Sequence, residues 1–416
     1  MTASSEVATS TQVLVVGGGI AGLATATALA RAGWQVLLAE RRPAFGVAGG
    51  DGALPPPALG AGIQISPNAS KCLTALGALD AVAARAFRPA AACLREGRSG
   101  RMIYRAALGA AAEARWGAPY LHVHRGDLAA ALAEAAAAAG ADLRPGTAVD
   151  EVTAPGVGPV RARLGPTLVE ADLLVLADGL GSRLRTALFG EAPRRFTGQT
   201  AWRAVLPAAG LPETARMAPE ATVWAAPAKH LVTYYLRGGA LLNIVAVEEA
   251  SRWEGEGWTA EGDPERLRAA FSGMHPSVAA LLGAVETCSL WGLFEREMPA
   301  SWHSGRAVLI GDAVHAMLPF MAQGAAMALE DAVVLARCLG RPGGGQAPAL
   351  AAYEAARRPR VTRVMQTSRE NGVLFHRGPG LRRRFDHALI GTVSRLAPSL
   401  AAGRLDWLYG YDATRP

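Results

Sequence analysis

Three acidic residues stand where short, mostly apolar strand-like runs end: Glu40 after Trp34–Ala39, Asp178 after Leu173–Ala177 and Asp312 after Ala307–Ile310. Runs this short and apolar suit strands of a parallel sheet buried on both faces. A carboxylate at the carboxyl end of such a strand lies where open α/β sheets bind ligands, and it can accept hydrogen bonds from sugar or polyol hydroxyls. Glycines accompany each acid. Gly17-x-Gly19-x-x-Gly22 follows the strand-like Val13–Val16 and opens a helical stretch that ends near Gly33. One glycine supplies a tight turn, one lets backbone approach a pyrophosphate and one lets the helix pack closely on the strand, while free N–H groups at the helix N-terminus face phosphate. Glu40, closing the next strand, would take the ribose hydroxyls, and that context separates a dinucleotide fingerprint from a chance GxGxxG. The motif alone fits NAD and FAD equally.

Asp178-Gly179 is followed by Ser182 and Arg185. Asp-Gly also favours a two-residue hairpin turn, but Gly181-Ser182-Arg183 makes a poor returning strand, so the pair reads as a strand end beside a nucleotide. After Gly311-Asp312 come Pro319, Gln323 and Gly324, then a helical run from Ala325 to Leu339. With Gly324 just before its first turn, bare N–H groups and the positive end of the helix dipole point at whatever Asp312 holds. A polyol attached to a ring that becomes negative would use both.

In HLVTYYL, His230 and Tyr234 are four residues apart. Even spacing on a strand puts them on one face with Val232 between, and Tyr235 on the other. A polar pair on an otherwise apolar strand needs partners wherever it is buried. His122 and His124 would also share a strand face, yet no Cys, Asp or Glu sits at ligand spacing, and no metal is expected. His315 is read as packing and hydrogen bonding within its own loop. Cys72, Cys93, Cys288 and Cys338 form no C-x-x-C pair and read as free thiols.

These residues must be held by a chain of 416 residues, room for about two domains. No apolar stretch reaches the roughly 18 to 20 residues that cross a bilayer, and Leu128–Ala141 reads as one soluble Ala-rich helix. MTASSEVATS lacks the basic and apolar parts of a secretion signal, so a cytoplasmic location is expected. The net charge of +7 is almost wholly arginine, since Lys occurs only at 71 and 229. Scattered arginines without a recognition motif suit an anionic cofactor and substrate rather than nucleic acid. Arg382–Arg384 reads as a solvated helix face.

Taken in order, GxGxxG at Gly17, D-G-x-x-S-x-x-R at Asp178 and G-D-A-x-H followed by Q-G-A-x-x-x-L-E-D-A from Gly311 span nearly the whole chain. In this the sequence resembles the single-component FAD-dependent aromatic hydroxylases of the para-hydroxybenzoate hydroxylase fold, above all the salicylate, 3-hydroxybenzoate and 6-hydroxynicotinate hydroxylases. The resemblance implies an α/β fold in which a Rossmann-like FAD-binding domain of the glutathione-reductase type is interleaved with a smaller, mostly antiparallel substrate domain. It implies non-covalent FAD held by Gly17, Gly19, Gly22, Glu40, Arg42, Arg125, Asp178, Gly179, Gly311, Asp312, Gln323 and Gly324. Asp312 would take the ribityl hydroxyls, Pro319 would lie against the isoalloxazine, and backbone near Gly324 would face the N1 and C2 carbonyl edge. NADH or NADPH would reduce the flavin, and O2 would add to give a C4a-hydroperoxide that hydroxylates a small aromatic substrate. His230 and Tyr234 would line that substrate, with His230 as a base whose pKa lies near working pH. Leu318, Phe320 and Met321 would form a dry wall.

The expected division is a discontinuous FAD domain over 10–75, 100–185 and 285–365, a substrate domain over 76–99 and 186–284, and a C-terminal helical segment over 366–416. Two other readings stay open: an FAD-dependent reductase or dehydrogenase, and a non-catalytic flavin redox sensor. The signature G-W-x-W-x-I-P of a flavin-dependent halogenase is absent. The sequence does not specify the assembly, and a homodimer stays open. The chain departs from the family at 47–59, a Pro- and Gly-rich lengthening between Phe45-Gly46 and Gly60-Ala61-Gly62 that costs little as a surface loop. It leads toward the flavin, so its effect on access is open.

Overall fold

A computed structural model describes residues 8–46, 62–154, 158–255 and 259–416. The lengthened stretch 47–59 lies outside the described residues. One sheet runs in the order β17 (His303–Ser304), β18 (Ala307–Leu309), β10 (Thr167–Leu176), β1 (Ala8–Val16), β2 (Val36–Glu40), β7 (Asp142–Pro145). The pairs β10–β18, β1–β10, β1–β2 and β2–β7 are parallel. β9 (Val160–Leu164) and β8 (Glu151–Thr153) extend the sheet antiparallel alongside β10.

The central strands are apolar because both faces are covered. Val13, Leu14, Val15, Leu173, Leu174 and Val175 are fully buried. The helix Ile20–Arg31 is buried at every position from Ile20 to Leu29, as a helix apolar all round should be. It packs between the helices Arg125–Ala138 and Gly324–Leu339. The strand ends fall where the apolar runs stop: Glu40 ends β2, Asp178 follows β10 by two residues, and Asp312 opens a single turn after β18.

The second sheet has the order β15 (Thr259–Gly262), β16 (Cys288–Glu295), β11 (Arg195–Pro207), β14 (Leu241–Glu249), β13 (Lys229–Leu236), β12 (Ala221–Ala226), β4 (Ala91–Glu96), β5 (Met102–Ala107). Its pairs are antiparallel except β12 with β4. Side chains alternate between faces, as the pleat requires. Trp202, Trp224, Leu231 and Ile244 pack on one face with Leu267, Val278 and Leu281 of two short helices. Ala201, Val247 and Leu293 occupy the other face with Leu318 and Phe320. β5 and β16 pair here although they lie inside the stretches 100–185 and 285–365, because strand partners and not hydropathy decide which sheet they join. A two-stranded ladder of β3 (Gly62–Ile65) and β6 (Leu121–His124) packs against β13 of the second sheet and against the helices Arg125–Ala138 and Gly324–Leu339 that cover the first.

The helix Gln346–His376 continues through residue 366, where a separate terminal segment was expected to begin. Ser368 Oγ donates to the Leu318 carbonyl at 2.8 Å and Asn371 Nδ2 to the Phe320 carbonyl at 3.2 Å, so this helix reaches both layers. In the following helix, Leu381–Leu396, Arg382 and Arg384 are exposed, but Arg383 turns inward. Its guanidinium donates to Glu96 and to the Ala225 carbonyl, both at 3.0 Å, which corrects the reading of the triplet as wholly solvated. Among the described residues no helix is long and apolar enough to cross a membrane.

Candidate active site

The three fingerprint glycines differ in what surrounds them. Gly17 adopts φ +106°, and a Cβ there would lie 2.6 Å from the Ala177 carbonyl oxygen. A Cβ on Gly22 would lie 1.8 Å from the Gly17 carbonyl oxygen, so that the first helix can touch the turn only through glycine. Gly19, at the N-cap, has no heavy atom within 4 Å of such a Cβ, leaving the space a pyrophosphate needs. Glu40 is buried at the end of β2. Its Oε2 accepts from Gly18 N at 2.6 Å and its Oε1 from Arg42 N at 2.8 Å, with Arg42 Nε at 3.2 Å.

Across the β1–β10 junction, Asp178 Oδ1 is buried without a hydrogen-bond partner among the described residues. Burial raises the Asp178 pKa, an effect that Ser182 partly offsets. An unpaired buried acceptor costs about 1–3 kcal/mol, and a ligand hydroxyl would relieve it. Gly179 follows at φ +80°, and Ser182 Oγ caps the next helix by accepting from Arg185 N at 2.9 Å.

The third acid rests on a buried ionic network. Asp331 Oδ2 accepts from Gly311 N at 3.1 Å and meets His315 Nε2 at 2.5 Å, while Arg357 Nε donates to Oδ1 at 2.7 Å. Burial would raise the Asp331 carboxyl, but His315 and Arg357 outweigh it and hold the pKa below its ordinary value. Arg357 and Arg360 both pair with Glu330, which also accepts from Asn68 Nδ2 at 2.7 Å. His315 therefore supports its loop. Asp312 is left exposed at the turn, and Arg125, at the start of its helix, is influenced by Asp312 and Arg42 after desolvation has lowered its pKa. Arg42 and Asp312 therefore both lie near enough to Arg125 to act on its charge.

Gln323 is placed differently from a ligand-facing side chain. Its Nε2 donates to Ser66 Oγ at 3.0 Å and its Oε1 accepts from Asn68 Nδ2 at 3.1 Å. Only its backbone faces the helix start at Gly324, whose N-terminal N–H groups have no intrahelical partner. Pro319 opens a single 3-10 turn that ends at Ala322, a non-glycine residue at φ 52°. The open glycine space, the unpaired Asp178 oxygen and the exposed Asp312 fit a cofactor with pyrophosphate and polyol parts.

On β13, His230 and Tyr234 do share a face, and both are buried. His230 Nδ1 lies 2.7 Å from His376 Nε2, and its ring stands 5.3 Å from that of Phe320. Burial, with His376 adding to it, lowers the His230 pKa well below the ordinary histidine value. That differs from the expectation of a base titrating near working pH: on this strand the imidazole is neutral and dry. Burial raises the Tyr234 pKa, with Arg203 opposing. Its ring lies 4.8 Å from that of His122. His122 sits among Phe87, Tyr120 and Tyr234, where burial pushes its pKa down to about 3. His124 accepts from Gly126 N at 3.1 Å, capping a helix.

Two members of this face were not singled out in the sequence. Arg203 projects with Ala201 and Val205 toward Tyr234, and its guanidinium lies 4.6 Å from the Trp291 ring centre. It is partly accessible, yet protein surrounds it closely enough that desolvation lowers its pKa. Among the described residues it has no carboxylate partner, and its Nε is buried and unpaired. The signal was an arginine at an inward position of AWRAVLP. His376 gave none, since it is 146 residues from His230.

A family described as "FAD binding domain" matches residues 10–368. The chain is 38% identical to a 3-amino-4-hydroxybenzoate 2-monooxygenase of Streptomyces platensis, over 97% of this chain and 96% of that protein. It is 36% identical to a 3-hydroxybenzoate 6-hydroxylase of Klebsiella oxytoca, over 96% of each. Among solved structures, a salicylate hydroxylase in complex with substrate superposes with TM-score 0.78 at 26% identity, covering 97% of this chain and 96% of that one. By these likenesses the chain belongs to the FAD-binding-domain family, among its FAD-dependent aromatic hydroxylases.

Proposed function

We propose that this enzyme hydroxylates a small phenolic or heteroaromatic carboxylic acid, using FAD, NADH or NADPH, and O2. The observation that carries the substrate class is Arg203, a partly accessible guanidinium with no carboxylate partner among the described residues, on the same sheet face as Tyr234 and His230. A bidentate carboxylate is the partner such a group is built for. When bound, FAD supplies the redox chemistry and delivers oxygen to the ring. In this reading Gly17, Gly19, Gly22, Glu40, Asp178 and Asp312 hold the cofactor. Arg203 fixes the acid, Tyr234 and His230 face its ring hydroxyl, and Leu318 and Phe320 exclude water. The parallel sheet serves as the cofactor half and the antiparallel sheet as the substrate half. A cytoplasmic enzyme, monomeric or homodimeric, is the picture that fractionation and light scattering would check.

The test is a panel of salicylate, 3-hydroxybenzoate, 4-hydroxybenzoate, 6-hydroxynicotinate and 3-amino-4-hydroxybenzoate with FAD-loaded protein. At least one acid should stimulate NAD(P)H and O2 consumption with about one hydroxylated product per nicotinamide. Nicotinamide oxidation that no acid stimulates would favour a reductase instead.

A further inference from the structure

His230 does not end at its own strand. Its Nδ1 meets His376 Nε2 at 2.7 Å, and His376 Nδ1 lies 3.3 Å from Glu249 Oε1. The three residues come from β13, from the last position of the helix Gln346–His376 and from the last position of β14. Exposure rises along the series: His230 and His376 are buried, whereas the Glu249 side chain is 55% exposed. The line therefore starts beside Phe320 in the candidate active site and ends in water.

The backbone fixes the geometry. The His376 carbonyl accepts from Ala228 N at 2.9 Å, and Ala228 in turn accepts from Glu249 N at 3.0 Å, which ties the turn before β13 to both outer members. The groups facing the His376 ring are His230, Glu249 and Gln199, whose Nε2 is 3.5 Å from Nδ1, together with Phe320, while Phe375 lies against His230. Nδ1 thus faces an acceptor, the Glu249 carboxylate at 3.3 Å, and a donor, the Gln199 amide at 3.5 Å; the closer and charged carboxylate decides, and it keeps the proton on His376 Nδ1. His376 Nε2 then accepts from His230 Nδ1–H, and His230 Nε2, without a protein partner among the described residues, is left as an open acceptor on the substrate side.

We propose that His230, His376 and Glu249 form a proton exit from the substrate's ring hydroxyl to solvent. The inference rests on the aromatic-hydroxylase reading above. The hydroxyl gives its proton to His230 Nε2 as Nδ1–H passes to His376 Nε2. His376 Nδ1–H passes to Glu249, and Glu249 releases a proton to water. One proton leaves the substrate and one enters solvent; both imidazoles end neutral with their tautomers exchanged, and return of a proton along the same line resets them. His230 never has to remain charged in its dry site. His376 and Glu249 act through His230 and are positioning residues.

The experiment mixes oxidised holoenzyme with 3-amino-4-hydroxybenzoate, or with 3-hydroxybenzoate if that is the acid turned over, and follows the phenolate absorbance band and proton release to an indicator dye by stopped flow. His376→Gln should slow both at least tenfold while flavin content and substrate Kd stay within twofold. Glu249→Gln, at an exposed position outside the binding face, should slow proton release and shift its pH profile, and it keeps the test decisive if the His376 variant folds poorly. Wild-type rates in a folded His376→Gln protein, or unchanged release and pH profile in Glu249→Gln, overturn the proton exit while leaving the hydroxylase reading intact. Failure of the wild type to ionise or turn over any acid of the panel overturns both.

Discussion

A guanidinium 4.6 Å from the Trp291 ring centre, with its Nε buried and unpaired among the described residues, has lost part of its hydration before any ligand arrives. An anion that pairs with it recovers that loss, so Arg203 should govern affinity for acids and not for the cofactor. Hydrogen bonds to charged groups contribute about 1.5–3 kcal/mol, which corresponds to roughly 10- to 150-fold in binding at about 1.4 kcal/mol per decade. Arg203→Gln should therefore raise KM for the carboxylate substrate by that range with flavin content unchanged, and the corresponding amide should lose its disadvantage against the acid. Equal KM values in variant and wild type would remove Arg203 from the site. Asp331, Glu330 and Arg357 present the opposite case: fully buried charges that already have partners and are available to no ligand.

At the scale of elements, the turn between β1 and the first helix separates folding from binding within a few residues. Gly22→Ala forces a Cβ into the Gly17 carbonyl. Overpacking of this kind costs typically about 1–3 kcal/mol, and it should appear as a lower melting temperature of the apoprotein as well as weaker FAD binding. Gly19→Ala meets nothing within the protein. That variant should melt like wild type without cofactor and bind FAD at least tenfold more weakly, as fluorescence titration against apoprotein would measure. The same turn shows what a sequence discloses. Strand ends, the glycine spacing and the pairing of His230 with Tyr234 on one face follow from short-range periodicity, and they were legible. The inward turn of the Gln323 amide, the arrival of Arg357 at Asp331 and of His376 at His230, and the membership of β5 and β16 in the antiparallel sheet depend on which distant segments meet. No local pattern carries that information.

For the molecule as a whole, the histidines set an acid limit. His122, at about 3, together with His124, His230, His376 and His387, titrates below its ordinary value, each first because of burial. The unfolded chain therefore binds protons near pH 6.5 that the folded chain refuses, and stability present above that pH is lost as pH falls. Each such histidine withdraws up to about 1.4 kcal/mol per pH unit below its unfolded pKa. Holoenzyme melting temperature should fall steadily from pH 7.5 to 5, less steeply in His122→Phe, and a flat profile would contradict the buried neutral rings. One element spans the regions these effects touch. The helix Gln346–His376 holds Asp331, and through it the Gly311 loop, by Arg357, the Leu318–Phe320 turn by Ser368 and Asn371, and β13 by His376. It works as a ruler. One residue added between Arg357 and His376 would advance the far end by about 1.5 Å and rotate it by roughly 100°, so every grip beyond the insertion would miss its partner. The number of residues between these contacts, and not only their identity, is thus part of how the Gly311 loop and β13 are kept in register.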